Sequence, residues 1–113
     1  MSEQAELPVV AFKSLKELHA WLVKHHTSSS GIWIRVYKKS SQVASVSFED
    51  VLDEGLAFGW SESTRHKYDE QSYLQKFTPR KTIGTTSKRN LERARMLMQA
   101  GRMTPPGLKA LGL

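Results

Sequence analysis

Ser47-Phe48-Glu49-Asp50-Val51-Leu52-Asp53-Glu54-Gly55-Leu56-Ala57-Phe58-Gly59-Trp60 is the stretch on which the fold turns. Ser47 with Asp50 three residues on marks a helix start, in which the serine oxygen takes a free backbone N–H and the acid reaches back. The carboxylates of Glu49, Asp50, Asp53 and Glu54 lie in the early turns, where they favour the positive end of the helix dipole. Phe48, Val51, Leu52, Gly55 and Leu56 repeat at the spacing of a buried helical face. Gly55 sits on that face. Glycine inside a helix costs up to about 1 kcal/mol against alanine, so its place there predicts that another backbone approaches closely. Gly59 can then close the helix in the left-handed conformation and send Trp60 away at a sharp angle.

Downstream, an extended pattern runs from Trp60 to about Lys67, turns at Tyr68-Asp69-Glu70-Gln71 and returns from Ser72 to Thr78, which predicts a hairpin. Alternation places Trp60, Glu62, Thr64 and His66 on one face and Arg65 with Lys67 on the other, while Tyr73, Gln75 and Phe77 share a side of the return strand. Pro79 cannot donate to a ladder, so pairing should stop there. Upstream, Ser14 with Glu17 is a capping box for a helix that buries Leu15, Leu18, Leu22 and the flanking Trp21 and ends near His26. Ile32-Trp33-Ile34-Arg35-Val36-Tyr37 alternates with period two, aliphatic on one side and aromatic or cationic on the other. Beyond the hairpin, Thr82 to Thr86 is a flexible connection around Gly84. Ser87 or Thr86 caps a third helix whose Leu91, Ala94, Leu97 and Met98 face the core, and Gly101 ends it. Thr104 before Pro105 starts a short closing helix that packs through Leu108 and Leu111.

The pattern predicts a single α+β domain. A small antiparallel sheet of about three strands, 32–37, 60–67 and 72–78, packs against three to four helices, the longer ones near 14–26, 47–58 and 87–100. Residues 1–11 are expected to form a flexible arm leading to a domain over 12–113. At 113 residues, with 39% hydrophobic content, the chain can fill one modest core. It contains no cysteine, which excludes disulfides, thiolate metal sites and thiol nucleophiles. The first six residues are acidic and polar, unlike a signal peptide, and no apolar run approaches the roughly 18 residues of a membrane span. A cytoplasmic protein is the expectation.

The formal charge of +6 is unevenly placed. Residues 1–58 hold six Lys/Arg against seven Asp/Glu, and residues 59–113 hold eleven against four. A field of that sign favours anionic partners: nucleic acid, phosphorylated metabolites, an acidic protein face or anionic lipid. A solvated basic surface accounts for it equally. Trp60 is either a ligand platform or a core plug. Arg80 is the leading functional cation, because Pro79 stiffens its approach and Phe77 can stack beneath its guanidinium. Glu62 could orient Arg80 or form a plain surface ion pair. Ser87 and Asn90, with free N–H groups of the third helix, could hold a phosphate or simply cap it, and Arg102 could add a second cation. The expected ligand is an anionic small molecule or an acidic protein segment. Lys88, Arg89, Arg93 and Arg95 form the alternative, a nucleic-acid surface on which Trp33 or Tyr37 would stack on bases, although helical spacing spreads the four cations over more than one side. His25 and His26 are adjacent and point apart, His66 is isolated, and no metal-ligand spacing or nucleophile elbow is present. No cofactor is expected, and no catalytic signature stands out.

At these landmarks the sequence resembles the YdeI/OmpD-associated family, also labelled bacteriocin-protection proteins. Trp21-Leu22, Gly31-Ile32-Trp33, the Gly55–Trp60 turn, Phe77-Thr78-Pro79-Arg80, Ser87 with Asn90, and Gly101-Arg102-Met103 before Pro106-Gly107 occur in the family's order. They cover about residues 12–111. Trp60-Ser61-Glu62 stands where that family usually reads Trp-Ile-Asp, and Thr86 where it has a tryptophan. Many members carry a further Lys/Arg-rich helical segment beyond the position matching Leu113. The resemblance implies a part in resisting envelope-active toxins and names no reaction or cofactor.

Overall fold

A computed structural model describes residues 7–81 and 87–112. Its order is β1 (Val9–Ala11), α1 (Leu15–His25), β2 (Ile32–Tyr37), a 3₁₀ turn (Lys39–Ser41), α2 (Phe48–Phe58), β3 (Trp60–Lys67), β4 (Ser72–Pro79), α3 (Lys88–Gln99) and α4 (Pro105–Ala110). The α+β class and the hairpin stand as predicted. The strand count does not: the sheet has four strands in the order β1-β2-β4-β3. Val9–Ala11, assigned to the arm by the sequence reading, adds to β2 in parallel, with Val9 beside Trp33 and Ala11 beside Arg35. The sheet is therefore mixed rather than antiparallel throughout. The rest of the predicted arm, residues 1–6, and the Thr82–Thr86 connection lie outside the described residues.

The helix starts form by the capping read from the sequence. The Ser14 hydroxyl accepts from the Glu17 N–H, while Glu17 Oε1 reaches one residue further back, to the Lys13 N–H, at 2.7 Å. Ser47 and Asp50 satisfy each other reciprocally at 3.1 Å in both directions. Ser87 caps α3 and Thr104 caps α4.

Along β2, Ile32, Ile34 and Val36 are buried against the helices together with Leu18, Leu22, Val51, Phe58, Trp60 and Phe77. Trp33, Arg35 and Tyr37 lie on the opposite face, half-buried. Leu56, Ala94, Leu97 and Leu111 form a second core where α3 and α4 meet α2. Met98, expected in that core, is exposed instead. Leu97 and Ala94 already fill the space.

The hairpin register changes partway along. Glu62 pairs with Phe77, but Arg65 pairs with Gln75, so β3 holds one more residue than β4 across that interval. This β-bulge reverses the facing of everything after it. Arg65 and Lys67 return to the helix side, where Arg65 lies over the Tyr73 and Phe48 rings at 4.2 and 5.2 Å. His66 passes to the outer face and meets Trp33, ring centroids 5.2 Å apart. The straight alternation predicted for Thr64, Arg65, His66 and Lys67 is thus overturned. The buried Gln75 amide donates to the Thr64 carbonyl at 3.2 Å, a group the bulge removes from ordinary pairing.

Three backbone approaches surround the C-terminal half of α2. A Cβ on Gly55 would stand 2.9 Å from the Trp60 carbonyl oxygen, so the predicted close approach comes from the chain folding back over its own helix. Gly59, at φ +79, caps α2 in the left-handed conformation and sits against Pro106. A Cβ on Gly107 would lie 2.2 Å from the Ala57 carbonyl oxygen, which also accepts from the Thr104 N–H and hydroxyl.

Gly107→Ala tests how tightly α4 is pressed onto α2. Overpacking against backbone costs about 1–3 kcal/mol, more than the gain of up to about 1 kcal/mol in helix propensity. A net loss of about 1–2 kcal/mol, read as a melting temperature lower by roughly 5–15 °C, is expected in thermal denaturation followed by circular dichroism. An unchanged melting temperature would show that α4 can lift from α2 at no cost.

Candidate functional site

The α2–β3 corner, β4 and α4 border an open cavity of about 350 Å³. Its apolar lining includes Phe58, Trp60, Pro79 and Pro106, and its cationic lining is Arg80, Lys81 and Lys109, with His26 at the side. No acidic side chain occurs among the described residues that line it. The volume lies within the range of small-molecule sites, as does the pairing of an apolar surface with a few convergent polar groups.

Trp60 is 2% exposed. Its ring packs edge-on to Trp21 at 5.7 Å and tilted against Phe77 at 5.0 Å, which fastens it into the core. It therefore gives the cavity a rigid floor rather than an open stacking face. Arg80 is placed by the backbone: its N–H donates to the Gly59 carbonyl at 2.9 Å, tying the end of β4 to the cap of α2. Phe77, proposed as a surface beneath the guanidinium, is fully buried on the core side.

The remaining expected residues do not line this cavity. Glu62 is half-buried on the helix side of β3, opposite Phe77. Ser87 is exposed, and its hydroxyl accepts from the Asn90 N–H at 3.1 Å, so this pair caps α3. Arg102 is drawn to α2, where it donates to Glu54 Oε2 at 3.1 Å and lies 3.9 Å from Asp53. The structure thus brings Trp60 and Arg80 together and leaves Glu62, Ser87, Asn90 and Arg102 elsewhere. Sequence reasoning missed Lys81 and Lys109 as lining residues. Lys81 follows Arg80 directly and could have been included with it; Lys109 is 28 residues further on, brought in by the docking of α4.

Glu54 is buried, and two cationic or potentially cationic groups hold it. Nδ1 of His19 lies within hydrogen-bond distance of Oε1, at 2.8 Å. Arg102 covers the other oxygen. Next to it, Arg93 makes a two-pronged pair with Asp53, and this hydrogen bonding raises the Arg93 pKa further. The acids of α2 are therefore charge partners for α1, α3 and the segment after α3, as well as dipole partners of their own helix. Arg93 is occupied by that pairing, while Lys88, Arg89 and Arg95 remain exposed.

A second, broader cavity of about 850 Å³ opens on the outer sheet face, lined by Trp33, Leu74, Lys76, Thr78, Arg80 and Lys81 among others. Arg80 and Lys81 form a ridge common to both cavities. The Lys76 ammonium lies 5.9 Å from the Trp33 ring. Further along the face, the Arg35 guanidinium is sandwiched between Tyr37 and Tyr68 at 4.5 and 4.7 Å and donates to Asp69 at 2.7 Å. The Ser72 hydroxyl and the Gln71 N–H also donate to Asp69, and these hydrogen bonds hold its carboxyl below the ordinary value of 3.8.

Among the described residues no group of three or more His, Cys, Asp or Glu is placed to hold a metal ion, and no helix is long and apolar enough to cross a membrane. A family model described as Domain of unknown function (DUF8412) matches residues 10–110, and the chain belongs to that family. No curated protein and no solved structure matches it.

Two outcomes follow from the charge pairs. Arg102→Ala leaves one oxygen of a buried carboxylate without its cation and should cost about 2 kcal/mol in urea denaturation. Unchanged stability would show that Glu54 does not depend on Arg102. For Asp69 the folded pKa lies below the unfolded one, so its contribution to the β3–β4 turn is whole above about pH 4 and is lost as pH falls through the folded value. NMR titration of the Asp69 carboxyl should show a midpoint below 3.8, with the Gln71 and Ser72 signals moving in step. A midpoint above that value would contradict the turn hydrogen bonds.

Proposed function

We propose that this member of the DUF8412 family is a non-enzymatic binding protein that captures a small organic anion in the cavity between the α2–β3 corner and α4. One observation carries the reading: an apolar floor fixed by Trp60 lies beneath three cations, Arg80, Lys81 and Lys109, with no acid among the described lining residues. A carboxylate or phosphate on an apolar body matches that division. The head would accept charge-assisted hydrogen bonds from the cations, and the body would displace water from Phe58, Pro79 and Pro106. The arrangement favours holding over reacting. His26 at the side has no acid among the described lining residues, and its Nδ1 lies 2.7 Å from the Leu22 carbonyl oxygen, so the lining assigns no proton-transfer pair. The sequence resemblance to YdeI/OmpD-associated proteins would place this capture in a protective role rather than a metabolic one.

The test is a ligand-observed NMR screen of aromatic and aliphatic carboxylates and phosphate monoesters, with hits measured by calorimetry. Lys109→Ala and Lys81→Ala should each weaken a hit about tenfold, the loss of roughly 1.4 kcal/mol expected for one charge-assisted contact. Chemical-shift changes should gather at Phe58, Gly59 and Ala110. Affinity unchanged from the parent in both variants, or shifts gathered elsewhere, would remove the cavity as the site.

A further inference from the structure

We propose that the outer face of the sheet is a docking surface for single-stranded nucleic acid, distinct from the small-anion cavity, with which it shares Pro79, Arg80 and Lys81, and independent of the cations of α3. Among the described residues, the helices that share the core with β2 stand on the side of Ile32, Ile34 and Val36, and Trp33, Arg35 and Tyr37 are half-buried on the other side. That face interleaves rings and cations. Trp33 lies beside Lys76 and His66 at one end, and Tyr37 and Tyr68 enclose Arg35 at the other. Trp33 and Tyr37 are four residues apart on one strand, a separation of roughly 13 Å at about 3.3 Å per residue, which spaces two stacking stations along a single chain of nucleotides. Stacking on aromatic platforms with cations tracking the backbone is the general physical basis of single-strand binding.

Charge favours the same occupant. The cavity around Trp33 is lined by Lys76, Arg80 and Lys81 with no acid among its described lining residues. The one acid in the Tyr–Arg–Tyr group, Asp69, is already engaged by Arg35. A duplex would present phosphates but keep its base faces stacked inside, where Trp33 and Tyr37 could not reach them. An acidic peptide would satisfy the lysines and leave the rings without planar partners. The bulge in β3 belongs to this design, because it turns His66 onto the outer face beside Trp33.

The experiment is fluorescence anisotropy of labelled oligothymidylate and oligouridylate of about 15 nucleotides, a duplex of equal length and a labelled poly-glutamate peptide. Single strands should bind more tightly than duplex or peptide. With two to three phosphates neutralised, affinity should fall roughly tenfold between about 50 and 200 mM salt. Trp33→Leu should weaken binding about tenfold, and Lys76→Glu, a charge change at a half-buried position checked for folding by circular dichroism, should do the same and flatten the salt slope. A variant carrying Lys88→Ala, Arg89→Ala and Arg95→Ala should bind as the parent does. No retention of single strands at low salt, a preference for duplex or peptide, or loss confined to the α3 variant would each overturn the proposal. Lys109→Ala, which affects only the small-anion cavity, separates the failure of one site from the failure of the other.

Discussion

The Trp60 carbonyl lies where a side chain on Gly55 would begin, and the rest of the molecule is arranged around that contact. A helix that ends in left-handed Gly59 and turns back across its own last turns must lack a side chain at the crossing point. Once it does, Trp60 enters the core beside Phe77, and β3 starts in register with β4 at Pro79. The Arg80 N–H then reaches the Gly59 carbonyl. α4 closes the other side by the same means, with Gly107 pressed against Ala57 and Pro106 against Gly59. Backbone meets backbone at each of these points, so the corner is stiff without a large apolar investment. The cavity with the cationic rim is the space left between these approaches.

A second constraint comes from the acids of α2. Capping and dipole effects account for the early carboxylates, but Asp53 and Glu54 point toward other elements and gather Arg93, Arg102 and His19. Two cations of the basic second half of the chain are thereby engaged on the helix side. Lys76 and Lys81 lie at the sheet face and corner, and Lys88, Arg89 and Arg95 are exposed on α3. The asymmetry visible in the composition therefore overstates the cationic character of α3, where Asp53 holds Arg93.

Local chemistry was legible, and pairing at a distance was not. Ser14, Ser47, Ser87 and Thr104 act as the caps their sequence contexts predict, and the two-residue alternation of Ile32–Tyr37 assigned both faces of β2 correctly. These features depend on neighbours within a few positions. β1 escaped notice because three residues carry too little periodicity, and its parallel partner lies more than twenty positions away. The bulge in β3 has no glycine or proline to announce it; Gln75 stabilises it from the opposite strand. Arg102 meets Glu54 across 48 residues of sequence, and nothing local to either one shows that they meet. Of the site, Arg80 and Trp60 were found because the Gly59 turn and Pro79 mark the same corner from both sides. Lys109 required the docking of α4.

The ridge of Arg80 and Lys81 sets a limit on how the two surfaces can operate together. Both cavities draw on its charge, one from the corner and one from the sheet. An anion seated at the corner neutralises part of the field available to phosphates on the sheet. Coupling between binding sites is reciprocal, so a strand on the sheet must weaken the corner ligand by the same factor. The sign follows from like charges approaching a shared pair of cations at short range, where salt screens them incompletely. Trp33 and Lys76 stand outside that competition, as does Lys109 on the other side. If both surfaces bind, the fold therefore joins them by antagonism, with the Gly59–Arg80 hydrogen bond holding the shared cations in place for either one.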